Sequence, residues 1–346
     1  MITKHYDAID GLRAFSTIGI VIMHILLNGN YEVGGVIFSK IIPSFNNLIF
    51  LFIIISGFAM CCGYYDKIIN NEIYIGEFYG KRFIKTWPFF ALLCLIDFAI
   101  SPSVNSLYEV FANLTLCFGL LPNANISVIG VGWFIGLVFV FYLVFPFFCY
   151  LISNKIRAWV SFFAALAFNL FCSEYFHISR TNIMYSAVFF LLGGLIFIYR
   201  GKLQIIADKF RWLILAGCAA CTVLYYFVDL SVPIMLVLFS LLLIYAIGSK
   251  KRLILSNRAT KFLSSISMEV YLCHMVIFRI IEKLKLTHLF GEGVLSYILT
   301  CVGTLAGAVL FSLVAQRVLN VLIEKIREIS NRKREWSIIS VKREKT

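Results

Sequence analysis

Long apolar runs joined by short polar connections dominate the chain. Ten such runs can be drawn, at 12–28, 41–63, 87–101, 131–153, 157–176, 183–200, 211–228, 230–248, 262–282 and 294–323. Most approach the ~20 residues that carry an α-helix across a bilayer's hydrocarbon core. The longest polar stretches are 64–85, 123–130, 200–211 and the last thirty or so residues, so no soluble domain interrupts the series. This pattern predicts an all-α integral membrane protein, a bundle of about ten transmembrane helices. The first run carries Asp10 and Arg13 and lacks a small-residue cleavage site, so it reads as a retained helix and not a signal peptide. Residues 1–323 form the expected transmembrane domain and 324–346 a basic cytoplasmic tail, lying on the inner leaflet or solvated and disordered. The least regular stretch is 87–121, where Pro102 and Pro122 bracket an expected interfacial or re-entrant piece at 107–121.

Composition supports this class. The 346 residues are 61% hydrophobic and 14% charged, against ~45–50% and ~25% in soluble domains. The net charge of +13 raises the question of nucleic acid, but its distribution answers it. With the N-terminus in the cytoplasm, Lys67, Lys81, Arg82, Lys85, Lys155, Arg157, Arg200, Lys202, Lys209 and Arg211 all fall inside. Lys250, Lys251, Arg252, Arg258, Lys261 and the tail join them. Lys40, Arg180, Lys283 and Lys285 are the outside exceptions, and Arg279 lies within a helix, snorkelling or pairing with Glu282. The excess charge is therefore mostly topology and contact with anionic lipid, with both termini cytoplasmic.

The ten cysteines are mostly embedded in apolar runs, where Cys acts as a small hydrophobe. Cys218 and Cys221 have CxxC spacing but no nearby His pair, so neither a metal site nor a structural disulfide is expected.

Candidate chemistry lies in the polar groups that hydrocarbon should not contain. Arg13 and His24 are eleven residues apart in the first run, on nearly one helical stripe and roughly 16 Å apart along the axis. Intramembrane charges usually face a polar interior and mark function; the alternative is a snorkelling Arg13 and a packed His24. Asp10 is placed to orient the Arg13 guanidinium, and Asn28 to bond the second nitrogen of His24. Ser56-Gly57 interrupts the second helix, and the glycine admits close approach of a backbone or substrate. His274 lies in the ninth run, one turn after Tyr271, and is expected to share a polar cavity with Arg13 and His24. The basic stretch Lys81–Lys85 precedes the third helix on the side of Arg13. Arg82 is the preferred phosphate ligand, while Lys81 and Lys85 also fit ordinary anchoring.

These placements suggest a ruler. A donor with phosphates beside Arg13 can extend a thin arm about 16 Å to His24, and coenzyme A has that shape. A neutral His24 can accept the proton of an attacking hydroxyl.

The same residues resemble the acyltransferase 3 family of bacterial membrane O-acyltransferases. Asp10-Gly11-Leu12-Arg13, with His24 following, is similar to that family's first-helix signature. Phe50–Phe58 resembles its second-helix motif, Lys81–Pro88 its basic stretch, and Trp133 with Phe141–Pro146 its fourth-helix pattern. Tyr271-Leu272-Cys273-His274 resembles its late Tyr-Leu-x-His. The resemblance implies transfer of an acyl group, usually acetyl from acetyl-CoA, to a sugar hydroxyl of a surface polysaccharide or its lipid-linked precursor, at the bacterial cytoplasmic membrane. Arg13 and His24 are then required and Arg82 contributes. On this reading the catalytic set is His24, Arg13, His274 and Tyr271. The donor is held by Arg13, Arg82, Lys85 and Asp10, and no metal takes part. Many members carry Glu where this chain has Val138, so that carboxylate is not part of this site. The rival from another class is a multi-pass transporter or flippase for a lipid-linked sugar or small anion. Against it, the chain shows no inverted repeat.

Overall fold

The computed structural model describes residues 6–343, except 101, 117, 121–129, 250 and 251. Pro122, Lys250 and Lys251, named above, and Cys117, one of the ten cysteines, lie outside the described residues. The chain is helical throughout, and no strand occurs among the described residues. In chain order the helices are α1 Asp7–Asn28, α2 Ile37–Ile69, α3 Ile75–Ile100, α4 Val104–Leu114 and α5 Trp133–Ile152. They continue with α6 Lys155–Tyr175, α7 Ile183–Ile198, α8 Arg200–Lys209, α9 Arg211–Phe227 and α10 Val232–Ile247. α11 Arg258–Ser265, α12 Ser267–Lys283 and α13 Val294–Arg343 complete the order.

Six helices are long and apolar enough to cross a membrane: α1, α2, α3, α5, α6 and α13 up to Lys325. Two bent pairs raise the count to eight, α7 with α8 at 78° and α11 with α12 at 71°. The expected ten is not reached on length and composition, because α9 and α10 have only 17 and 16 residues. At 1.5 Å per residue each is about 25 Å long, short of a ~30 Å core. The protein is nonetheless a multi-pass membrane protein by its apolar helices.

Four sequence expectations are corrected or sharpened. The third helix starts at Ile75, not at 87, so Lys81–Lys85 lie on its early turns and not in a loop. Pro88 suggested a helix start because proline favours the first turn, but here it sits inside α3. The piece after Pro102 is a capped surface helix, α4, whose Ser103 and Ser106 side chains bond each other's backbone N–H. Arg279 pairs with Asp97 of α3 at 3.6 Å and not with Glu282. Finally, α13 is one helix of 50 residues through Arg343, so the basic tail continues the last span without a break.

α1 is the hub of the bundle, packing against α2, α10, α11, α12 and α13. The N-terminal end of α1 is fastened to α11 by Lys261 and Asp7 at 2.6 Å. The seam between α2 and α7 explains Ser56-Gly57. A Cβ at Gly57 would lie 2.7 Å from the Phe190 carbonyl oxygen, and one at Gly193 would overlap the Ile54 carbonyl. The two backbones touch because both contacts are glycine, so Gly57 receives a helix and not a substrate. Phe50 and Phe189 stack beside this seam with ring centroids 4.3 Å apart.

Candidate functional site

The stripe that carries Arg13 and His24 opens on two cavities, one toward each end of α1. The first, about 360 Å³, is lined by Arg13, Arg82, Lys85 and Tyr142, together with Glu269 and Tyr271. The second, about 230 Å³, is lined by His24, Asn46, Trp133, Arg180 and, again, Tyr271. The single polar cavity expected from the sequence is thus two, meeting at Tyr271. The reason is packing. Tyr271 is buried, donates its hydroxyl to the Val131 carbonyl at 3.0 Å, and packs edge-on against Phe134. A phenol held at both ends divides the space that helical spacing alone would leave continuous.

In the first cavity, Arg82 is held in place by its surroundings. Its guanidinium donates to the Tyr64 hydroxyl and to Met60 Sδ, and lies 4.6 Å from the Tyr64 ring centroid and 5.8 Å from that of Tyr142. An arginine stacked in this way is a preset fork for a phosphate. Lys85, one helical turn on, lines the same space. Asp10 is not among the lining residues; it is buried, accepts from the Ser264 hydroxyl at 2.9 Å, and its charge acts on Arg13. Its place is behind the site, where it joins α1 to α11.

Val138 lines this cavity too, so the position without a carboxylate does face the site. A carboxylate enters from another helix. Glu269, buried in the first turn of α12, accepts from Gln316 Nε2 at 2.7 Å and lines the same wall as the bend between α11 and α12. Sequence reasoning missed Glu269, although an acidic residue inside a membrane segment was a signal.

His24 and His274 have ring centroids 5.2 Å apart. His274 is fully buried and lines neither cavity. Its Nδ1 lies 2.6 Å from the Tyr271 carbonyl. A carbonyl only accepts, so that nitrogen carries the proton and Nε2 keeps its lone pair. No hydrogen-bond partner for Nε2 occurs among the described residues. His274 therefore stands behind His24 and away from the cavity walls. Asn28 does not bond the imidazole of His24; its amide donates to the His24 backbone carbonyl at 2.7 Å and closes the last turn of α1.

Arg180, an exception to the charge pattern, stands in the second cavity with His24. Its guanidinium donates to the Asn46 carbonyl at 2.7 Å and to Asn47 Oδ1 at 3.5 Å, and packs on the Phe50 and Trp133 rings. Burial lowers its proton affinity from the ordinary arginine value, yet a guanidinium keeps its proton in proteins. Its presence on the sparsely basic side was the available signal.

The geometry gives one cationic cavity and one cavity with a histidine base, a tryptophan and an arginine. Among the described residues no group of three His, Cys, Asp or Glu side chains could hold a metal, and the described cysteines are free. No curated protein and no solved structure is matched by the chain. A family model described as an acyltransferase domain matches residues 6–313. With that match over nearly the whole chain and the helices to span a membrane, the protein belongs to the acyltransferase 3 family and is a membrane acyltransferase.

Proposed function

We propose that the protein transfers an acyl group, acetyl in the simplest case, from acyl-CoA to a sugar hydroxyl of a cell-surface polysaccharide or its lipid-linked precursor. The observation that carries this reading is the division of one helix between two cavities, with Arg13 in a cationic one and His24 in the other. In this proposal the cationic cavity faces the cytoplasm of a bacterial inner membrane, and both termini lie on that side. The concentration of basic residues near Arg13 supports the orientation. The ten-span count requires α9 and α10 to cross where the bilayer thins, which short helices induce at modest cost.

Arg13, Arg82 and Lys85 hold the donor's phosphates, and the thioester arm extends toward Tyr271. The acceptor hydroxyl enters the second cavity beside His24. His24 takes the hydroxyl proton as its oxygen attacks the thioester carbonyl, the C–S bond breaks, and CoA leaves as the thiol after protonation. His274 sets the position of His24 and supplies a second nitrogen near it. Tyr271, which lines both cavities, is the group the two substrates displace in order to meet.

Transfer of labelled acetyl from acetyl-CoA to cell glycans, in membranes with and without the chain, tests this reading. Acetyl appearing on sugar only when the chain is present supports it. Absence of any donor turnover would remove it.

A further inference from the structure

Arg180 is a cation whose recorded partners are all uncharged. It bonds the Asn46 backbone and the Asn47 amide, and it packs on two aromatic rings. The groups whose charge acts on it are tyrosines, with no carboxylate among them. Its Nε is buried and finds no acceptor among the described residues. Arg180 is half-buried, and a cation drawn partly out of water without a counter-ion is disfavoured relative to one that is paired. Such an arrangement persists where the counter-ion arrives with a ligand. The ligand's position is set by the same cavity, since His24 and Trp133 line it with Arg180. Trp133 offers a flat face of the kind on which sugar rings stack. A smaller apolar cavity of about 160 Å³ is lined by Asn47, the neighbour of Asn46, with Tyr225, Tyr226 and Phe239.

We propose that Arg180 is the recognition residue for an acidic group on the acceptor, a carboxylate or phosphate, which it holds while the hydroxyl to be acylated lies at His24. This rests on the reading of the second cavity as the acceptor site. The free guanidinium edge takes the anion through charge-assisted hydrogen bonds, and Trp133 takes the ring. If the anion is the phosphate of a lipid-linked sugar, the apolar cavity beyond Asn47 receives the start of the lipid chain. A free acidic sugar uses the same cation and leaves that cavity empty. Neutral sugars of the same shape bind weakly, because they leave the cation uncompensated.

The test uses the full chain in detergent and measures binding directly, without requiring turnover. The probes are methyl glucoside, methyl glucuronide, glucose 1-phosphate and a polyprenyl diphosphate-linked glucose, with acetyl-CoA titrated separately. At least one anionic probe is expected to bind about tenfold or more tighter than methyl glucoside, the value of one charge-assisted hydrogen bond. That preference is expected to disappear in Arg180→Gln and return in part in Arg180→Lys, while both variants bind acetyl-CoA as the wild type does. Preference for the lipid-linked probe alone identifies the phosphate as lipid-borne; preference for the soluble anions identifies a free acidic sugar. Equal binding of neutral and acidic probes by the wild type overturns the proposal. So does a preference that survives Arg180→Gln, or an equal loss of acetyl-CoA binding in both variants, which would make Arg180 a packing residue. Failure of acetyl-CoA to bind the wild type would strike the acyl-transfer reading and leave the Arg180 comparison readable by itself.

Discussion

His24 and Arg13 share a helix but line different cavities, so on the proposed reading substitution should separate their effects. His24→Ala is expected to lower the rate of acyl transfer by about 10²–10⁴-fold, the usual contribution of a positioned base, with donor affinity and membrane insertion unchanged. A steady-state assay on purified protein checks it; a variant that keeps its rate removes His24 as the base. Arg82→Ala should act on the other quantity, raising KM for acyl-CoA by about 10–100-fold, as expected for losing a charge-assisted contact. An altered kcat at unchanged KM would contradict its place as a donor ligand. Arg13, His24 and Arg82 were legible in sequence because each is a polar group in an apolar or interfacial setting. Arg180 and Glu269 were visible as anomalies, but their roles depend on contacts with Trp133 and Gln316, 47 residues away in each case. No local spacing reports such a contact. His274 illustrates the opposite limit: its motif placed it near His24, and only packing revealed that it stands behind the cavity wall.

At the scale of single helices, the α2–α7 seam tolerates little added volume. Gly57→Val would drive a branched side chain into the Phe190 backbone, at a cost of about 1–3 kcal/mol from overpacking. The expected result is a lowered thermal unfolding temperature in detergent, read by loss of the monodisperse peak on size exclusion. Gly63 has open space at its Cβ, so Gly63→Ala should leave that temperature nearly unchanged. Helix existence was legible from the apolar runs, because each run falls on a helix or, for 262–282, on the bent pair α11–α12. Helix ends were less so. Pro88 masked the early turns of α3, where Lys81 and Lys85 already belong to the helix. The bends at α7–α8 and α11–α12 had no sequence mark as strong as proline, and the second of them brings Ser267 and Glu269 to the first cavity.

Across the whole molecule, the helix with the misplaced polar residues also packs against five others, α2, α10, α11, α12 and α13. The all-helical membrane class followed from composition and run length. The count of spans did not, because short helices and sharp bends give the same apolar total as straight crossings. The division at Tyr271 has a further consequence. A continuous path between the two cavities would have to pass the side chain that lines both, Tyr271. On the proposed reading, the Tyr271 ring, tied to Val131 and braced by Phe134, would act as an electrical insulator as well as the place where the substrates meet. Tyr271→Gly should make proteoliposomes leak protons, seen as collapse of an imposed pH gradient reported by an entrapped dye, whereas the wild type should hold it. An equally tight variant would mean that the seal lies elsewhere. On the proposed reading, a cell that acylates across its membrane would rely on that one ring to keep its ion gradients between turnovers.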